Sequence, residues 1–146
     1  MKQKYTNCTN VQQEMAQFID SYDWDYYATL TTSYEQTIPS ARRLAHRMHD
    51  RANQSSETTM FFACEPYDVK DGYHIHALIK TEMEYKSLIE CYQVTSGGKK
   101  IGKHQRIDLK KYQRGMGGAM YCAKYITKKL SDWDFLLPLQ NKTLFN

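Results

Sequence analysis

Apolar positions along the chain follow two periods in turn, and the changes of period mark out the elements. Trp24–Thr32 (WDYYATLTT) is aromatic and β-branched, which predicts a strand. Pro39 and Ser40 then open a helix, whose apolar positions Ala41, Leu44, Ala45, Met48 and Ala52 recur at helical spacing. Arg42, Arg43, Arg47 and Arg51 fall away from that stripe. Thr59–Glu65 (TMFFACE) predicts a second strand, stopped near Pro66. Asp71-Gly72 ends a hairpin-type connection, so Tyr73–Lys80 is expected to run antiparallel to it as a third strand. Tyr85, Leu88, Ile89 and Tyr92 mark a second amphipathic helix, broken at Ser96-Gly97-Gly98. Lys103–Lys110 predicts a fourth strand, Gly115, Gly117 and Gly118 a loop, and Ala119–Leu130 a last helix. Val11–Asp20 predicts a short helix near the start, and Asp132 onward is a tail of mixed character.

Strand, helix, strand, strand, helix, strand is the order of a split βαβ unit, an α+β ferredoxin-like arrangement. Four or five antiparallel strands are expected, with helices on one face and the other face open. The hairpin strands lie near the middle of such a sheet. The 146 residues suffice for one domain with a core, here taken as 1–146 with its centre at 24–130.

Composition changes this picture little. Net charge is +4, which permits an anionic partner without demanding one. Its distribution says more, because Lys99–Arg114 holds seven Lys or Arg against one Asp. Twelve tyrosines against five phenylalanines suit either strands or a wet surface that stacks on bases. Cys8, Cys64, Cys91 and Cys122 have no CxxC spacing, which argues against a zinc finger or a redox pair. Cys64 and Cys122 lie in apolar segments as small hydrophobes. Free thiols, a polar N-terminus and no apolar run near the roughly 18 residues of a membrane span lead us to expect a cytoplasmic protein with no membrane partner.

Candidate chemistry lies in two places. Side chains two apart on a strand share a face, so His74 and His76 converge while Ile75 turns inward. Glu65 ends the strand that pairs with theirs and is the best further ligand, with Asp68 and Asp71 in the turn weaker. Two imidazoles and a carboxylate suit Mg²⁺ or Mn²⁺ acting on phosphate, and imidazole also welcomes Zn²⁺, Co²⁺ and Ni²⁺. His46 and His49 sit among polar helix positions and are read as solvated. On the last helix, Ala119, Cys122, Ala123, Ile126 and Leu130 form an apolar stripe. Tyr121, Tyr125 and Lys128 fall on roughly the opposite side. A phenol is a poor nucleophile at neutral pH, and the ammonium groups of Lys124 and Lys128 would favour its anion or stabilise charge in a transition state.

These segments resemble the HUH endonucleases, which include rolling-circle replication initiators, relaxases and single-strand transposases. His74-Ile75-His76 looks like the family's His-hydrophobic-His motif. Tyr121-Cys122-Ala123-Lys124-Tyr125 is similar to the two-tyrosine motif of initiators from small single-stranded DNA phages and related plasmids. Tyr27–Thr32 (YATLTT) is similar to the first strand motif. The resemblance implies a divalent cation, Mg²⁺ or Mn²⁺, held by His74, His76 and Glu65. It implies attack by Tyr121 or Tyr125, neither ranked above the other, to leave a 5′-phosphotyrosine and a free 3′-hydroxyl that primes replication. Single-stranded origin DNA would be the partner, in a bacterial, plasmid or phage setting.

The nucleic acid is expected to meet Thr29 and Thr31 on the first strand and Lys103, His104, Arg106, Lys110, Lys111 and Arg114 in the basic segment. No phosphate-cradling Gly-Lys-Ser/Thr motif is present, so a helicase would be a separate protein, or the chain the nuclease domain of a larger one. A transposase or relaxase of the same chemistry stays open, although the tyrosine pair weighs against a transposase. A non-catalytic nucleic-acid-binding module also stays open, although such a sheet would place aromatics at its centre instead of a histidine pair.

Overall fold

The computed structural model describes residues 10–97, 106–115, 117, 119, 123, 124 and 132–139, with only the backbone of Arg106. Its elements are α1 (Asn10–Asp20), β1 (Tyr26–Thr31), α2 (Ile38–Ser55), β2 (Thr58–Pro66), β3 (Tyr73–Thr81), α3 (Tyr85–Gly97), β4 (Arg106–Lys111) and β5 (Asp132–Leu136). The strands form one antiparallel sheet in the order β4-β1-β3-β2-β5. This is the expected α+β split βαβ arrangement with a fifth strand added beside β2, and it sets the hairpin strand β3 at the centre.

Local chemistry explains the boundaries. Thr37 caps α2 in a reciprocal box with Ser40, and Pro39 sits in the first turn where no N–H partner is needed. The hairpin β2–β3 turns at Gly72, whose φ of +102° disfavours any side chain. A Cβ there would stand 3.0 Å from Glu35 Cγ and 3.3 Å from the Gln36 nitrogen, so the hairpin end packs tightly on the β1–α2 loop.

Alternation splits the sheet into two faces. Ala28, Leu30, Met60, Phe62, Cys64, Ile75, Ala77 and Ile79 point to one face, covered by α2 and α3 through Leu44, Met48, Leu88 and Tyr92. Cys64 is fully buried there, as expected for a small hydrophobe, and burial pushes its thiol up to about 12. Phe61, Ala63 and Leu78 point to the other face, with Tyr27, Trp133 and Phe135 packed partly buried beside them. That face was expected to be open. Part of it is instead covered by Ala16 and Ile19 of α1, Trp24, and the helical residues Ala119 and Ala123. The reason is legible in β2, whose continuous apolar run leaves hydrophobic side chains on both sides that need cover.

Two further expectations change. The segment from Asp132, expected as an irregular tail, forms β5. Its Asp-Trp-Asp-Phe-Leu order has period two, and Trp133 and Phe135 join the second face. Arg42 holds the strand from outside, 2.9 Å from Asp132 and also paired with Asp134. His49 is buried (3% exposed) and not solvated. Its Nε2 lies 2.8 Å from the Thr58 carbonyl oxygen, so the ring ties α2 to the start of β2. His46 stays partly exposed, 3.6 Å from Asp134.

Burial, opposed by the Thr58 hydrogen bond, lowers the His49 pKa from the ordinary 6.5. The unfolded chain therefore binds this proton more readily than the folded one. Its contribution is fully present above pH 6.5 and is lost as pH falls from there through the folded value. Urea unfolding measured from pH 8 to pH 5 should show declining stability, with a smaller decline in the His49→Gln variant.

Candidate metal centre

The strand register assembles the site. Glu65 lies directly opposite His74 in the β2–β3 ladder, and Ala63 lies opposite His76. Opposed residues of antiparallel strands share a face, so Glu65, His74 and His76 stand together on the second face. Ala63 offers only a methyl group, which leaves the His76 ring room to lean toward Glu65.

The three side chains converge on one point. Glu65 Oε1 lies 2.6 Å from His74 Nε2 and 2.6 Å from His76 Nε2. The two nitrogens are 3.0 Å apart. Ligands about 2.1 Å from an ion and at right angles would be separated by about 3 Å, so this spacing matches one face of an octahedron, slightly contracted. The side chains are 7% (His76), 13% (Glu65) and 15% (His74) exposed, sheltered yet reachable. The donors therefore fit a metal ion, and among the described residues this is the one group of three or more His, Cys, Asp or Glu that does. Asp68 and Asp71, the weaker candidates in the turn, stand outside it.

Surroundings tune the ligands. Burial lowers the pKa of His76, against an opposing pull from its hydrogen bond to Glu65. A neutral imidazole with a free lone pair is the form that binds a cation. The other ring nitrogen, Nδ1, lies 3.3 Å from the Tyr27 hydroxyl and 3.4 Å from Thr29 Oγ1. Either hydroxyl oxygen can accept from Nδ1–H, the tautomer that directs the Nε2 lone pair into the cluster. Thr29, expected to meet nucleic acid, thus stands beside a ligand. Tyr27 was not foreseen in this role. Its signal was position: it lies two residues before Thr29 and so shares its face.

Other predicted residues are distributed around this centre. Thr31 pairs with Arg106 at the end of β1, and its carbonyl accepts from the Tyr92 hydroxyl at 2.6 Å. Lys110 is exposed and opposite Tyr27, hence toward the metal face, 3.9 Å from Asp108. Lys111 alternates to the other face. The exposed Arg114 donates to the carbonyls of Asp20 and Tyr22 and pairs with Asp23, fastening the chain after β4 to the end of α1. Lys124 is exposed and helical, next to the buried Ala123. Tyr121, Tyr125, Lys128, Lys103 and His104 lie outside the described residues, as does Cys122.

Comparison with protein-family models, curated proteins and solved structures finds no match. Among the described residues, no helix is long and apolar enough to cross a membrane.

Mn²⁺ titration followed by electron paramagnetic resonance should give one site per chain at neutral pH. Binding should be lost in His76→Ala and Glu65→Ala. It should also weaken as acid protonates the histidines.

Proposed function

We propose that the chain is a metal-dependent single-stranded DNA nicking and joining endonuclease that initiates rolling-circle replication, with Mg²⁺ or Mn²⁺ as its cation. One observation carries this reading. Glu65, His74 and His76 converge on one point of a sheet face, the donor set expected to hold a cation against a phosphate, and Ala119 and Ala123 are buried on that same face.

Glu65, His74 and His76 would hold the cation, which would supply Lewis-acid polarisation of the scissile phosphate. Tyr27 and Thr29 keep His76 in its ligating orientation. The hydroxyl oxygen of Tyr121 or Tyr125 attacks phosphorus after losing its proton. The bond from phosphorus to the 3′ oxygen breaks, and that oxygen takes up a proton. The products are a 5′-phosphotyrosine and a free 3′-hydroxyl, and attack by a 3′-hydroxyl on the same linkage rejoins the strand. Lys124 and Lys128 favour the phenolate by their charge. Thr31 and Lys110 lie toward the metal face near the β4 edge, where a strand of phosphates would cross, and Arg106 pairs with Thr31 in the ladder there. Lys103 and His104 would extend that basic track, whereas Lys111 lies on the other face and Arg114 is engaged by the end of α1 and Asp23. A separate helicase would open the duplex.

Incubation with a labelled single-stranded oligonucleotide library and Mn²⁺ tests the reading. A protein band carrying covalent DNA is expected from the wild-type chain. Tyr121→Phe with Tyr125→Phe should abolish the adduct and retain binding, and adducts persisting in that double variant would rule out the tyrosine assignment. His74→Ala with His76→Ala should remove metal-dependent cleavage. Affinity for the oligonucleotide should fall steeply with salt, and a flat response would argue against the basic track.

A further inference from the structure

The two histidines of the cluster are held by different means. His76 has hydroxyl partners for its Nδ1, as a metal ligand ordinarily does. The Nδ1 of His74 is buried and has no hydrogen-bond partner among the described residues. What His74 has instead is an aromatic neighbour. The ring of Tyr67 stands 4.6 Å from it, centroid to centroid, at an interplanar angle of 38°. Tyr67 is itself fixed. Its N–H donates to the Gly72 carbonyl at 3.1 Å, and Lys70 Nζ lies 4.3 Å from its ring centroid. Gly72 in turn packs against Glu35 and Gln36.

We infer that Tyr67 is the positioning residue of His74, its ring doing by close tilted contact what a hydrogen bond does for His76. The inference rests on the cluster being a metal centre and is independent of any reaction on DNA. Its physical basis is twofold. Contact over a ring face restricts rotation of the imidazole about its bond to the chain, which keeps Nε2 aimed at Glu65. An imidazole bound to a cation also carries positive charge, and the electron-rich face of a phenol favours that state over the free one. Tyr67 therefore contributes to metal affinity without touching the metal. Because the contact with His74 is made by the ring, phenylalanine should serve in its place.

The test is Mn²⁺ binding by the full chain, with thermal unfolding of the metal-free protein as control. Tyr67→Ala should weaken Mn²⁺ binding about tenfold, the scale of losing a partner that orients a ligand. Tyr67→Phe should bind within about twofold of wild type. Tyr67→Leu, which fills space without a ring face, should resemble the alanine variant and covers the case in which alanine disturbs folding. In the metal-free protein, the ring-proton resonances of His74 should lose their ring-current shift in Tyr67→Ala while those of His76 keep their positions. Unchanged affinity in the alanine or leucine variant would overturn the inference, as would a phenylalanine variant as weak as alanine. A wild-type chain that binds no Mn²⁺ would overturn the metal centre and this inference together. A chain that binds Mn²⁺ with the expected ranking but never attaches to DNA would overturn the proposed function alone.

Discussion

The register of β2 against β3 is the constraint on which the rest of the molecule depends. With Glu65 opposite His74 and Ala63 opposite His76, a carboxylate and two imidazoles meet on one face. A slip of one residue would turn Glu65 toward α2 and α3 and expose Cys64 in its place. Such a slip is opposed by the core itself. Met60, Phe62 and Cys64 of β2 and Ile75, Ala77 and Ile79 of β3 all pack on the opposite face. Misregistering them would bring charge and histidine into that core. The apolar face thus holds the polar one in place, although the two share only the backbone between them.

The second face is built as a gradient. At the β1 start and β3 end, Tyr27, Phe61, Leu78 and Phe135 form a hydrophobic layer beneath α1, Ala119 and Ala123. Toward the other end of the same strands the layer gives way to His76, then to Glu65 and His74, which are progressively less buried. The cluster therefore stands where packing ends and access begins. Strands β1, β2 and β3 support it, with the hairpin connection contributing Tyr67. Two fastenings attend the chain that leads toward and away from Ala119. Tyr112 and Arg114 bind the end of α1 on one side, and Arg42 binds β5 on the other.

Much of this was legible from periodicity. The strands β1 to β4, the helices α2 and α3 and the pairing of β2 with β3 follow from alternation, helical spacing and Asp-Gly turn chemistry. The ligand triad follows from them because strand geometry converts sequence spacing directly into position. What was not legible depends on contacts between distant segments. β5 is too short for five residues to declare themselves a strand without β2 and Arg42 beside them. His49 lies among arginines in sequence, and only the helix's docking on β2 buries it against Thr58. Tyr67 sits in a turn, where no periodicity assigns a direction, so its ring contact with His74 had no signal. The covering of the second face by α1 was implicit in the unbroken apolar run of β2, since a strand with one wet side would alternate.

The order β4-β1-β3-β2-β5 leaves β4 and β5 as the outer strands of the described sheet. Outer strands carry unsatisfied backbone groups and invite other chains to pair with them. Here neither margin is neutral. β4 presents Asp108, Lys110 and Lys111 in quick succession, and β5 presents Asp132 and Asp134 drawn against Arg42. A second copy aligning margin to margin would bring like charges together on β5 and would have to strip water from charged groups on either side. Charged margins of this kind disfavour pairing of the sheet edge with another chain.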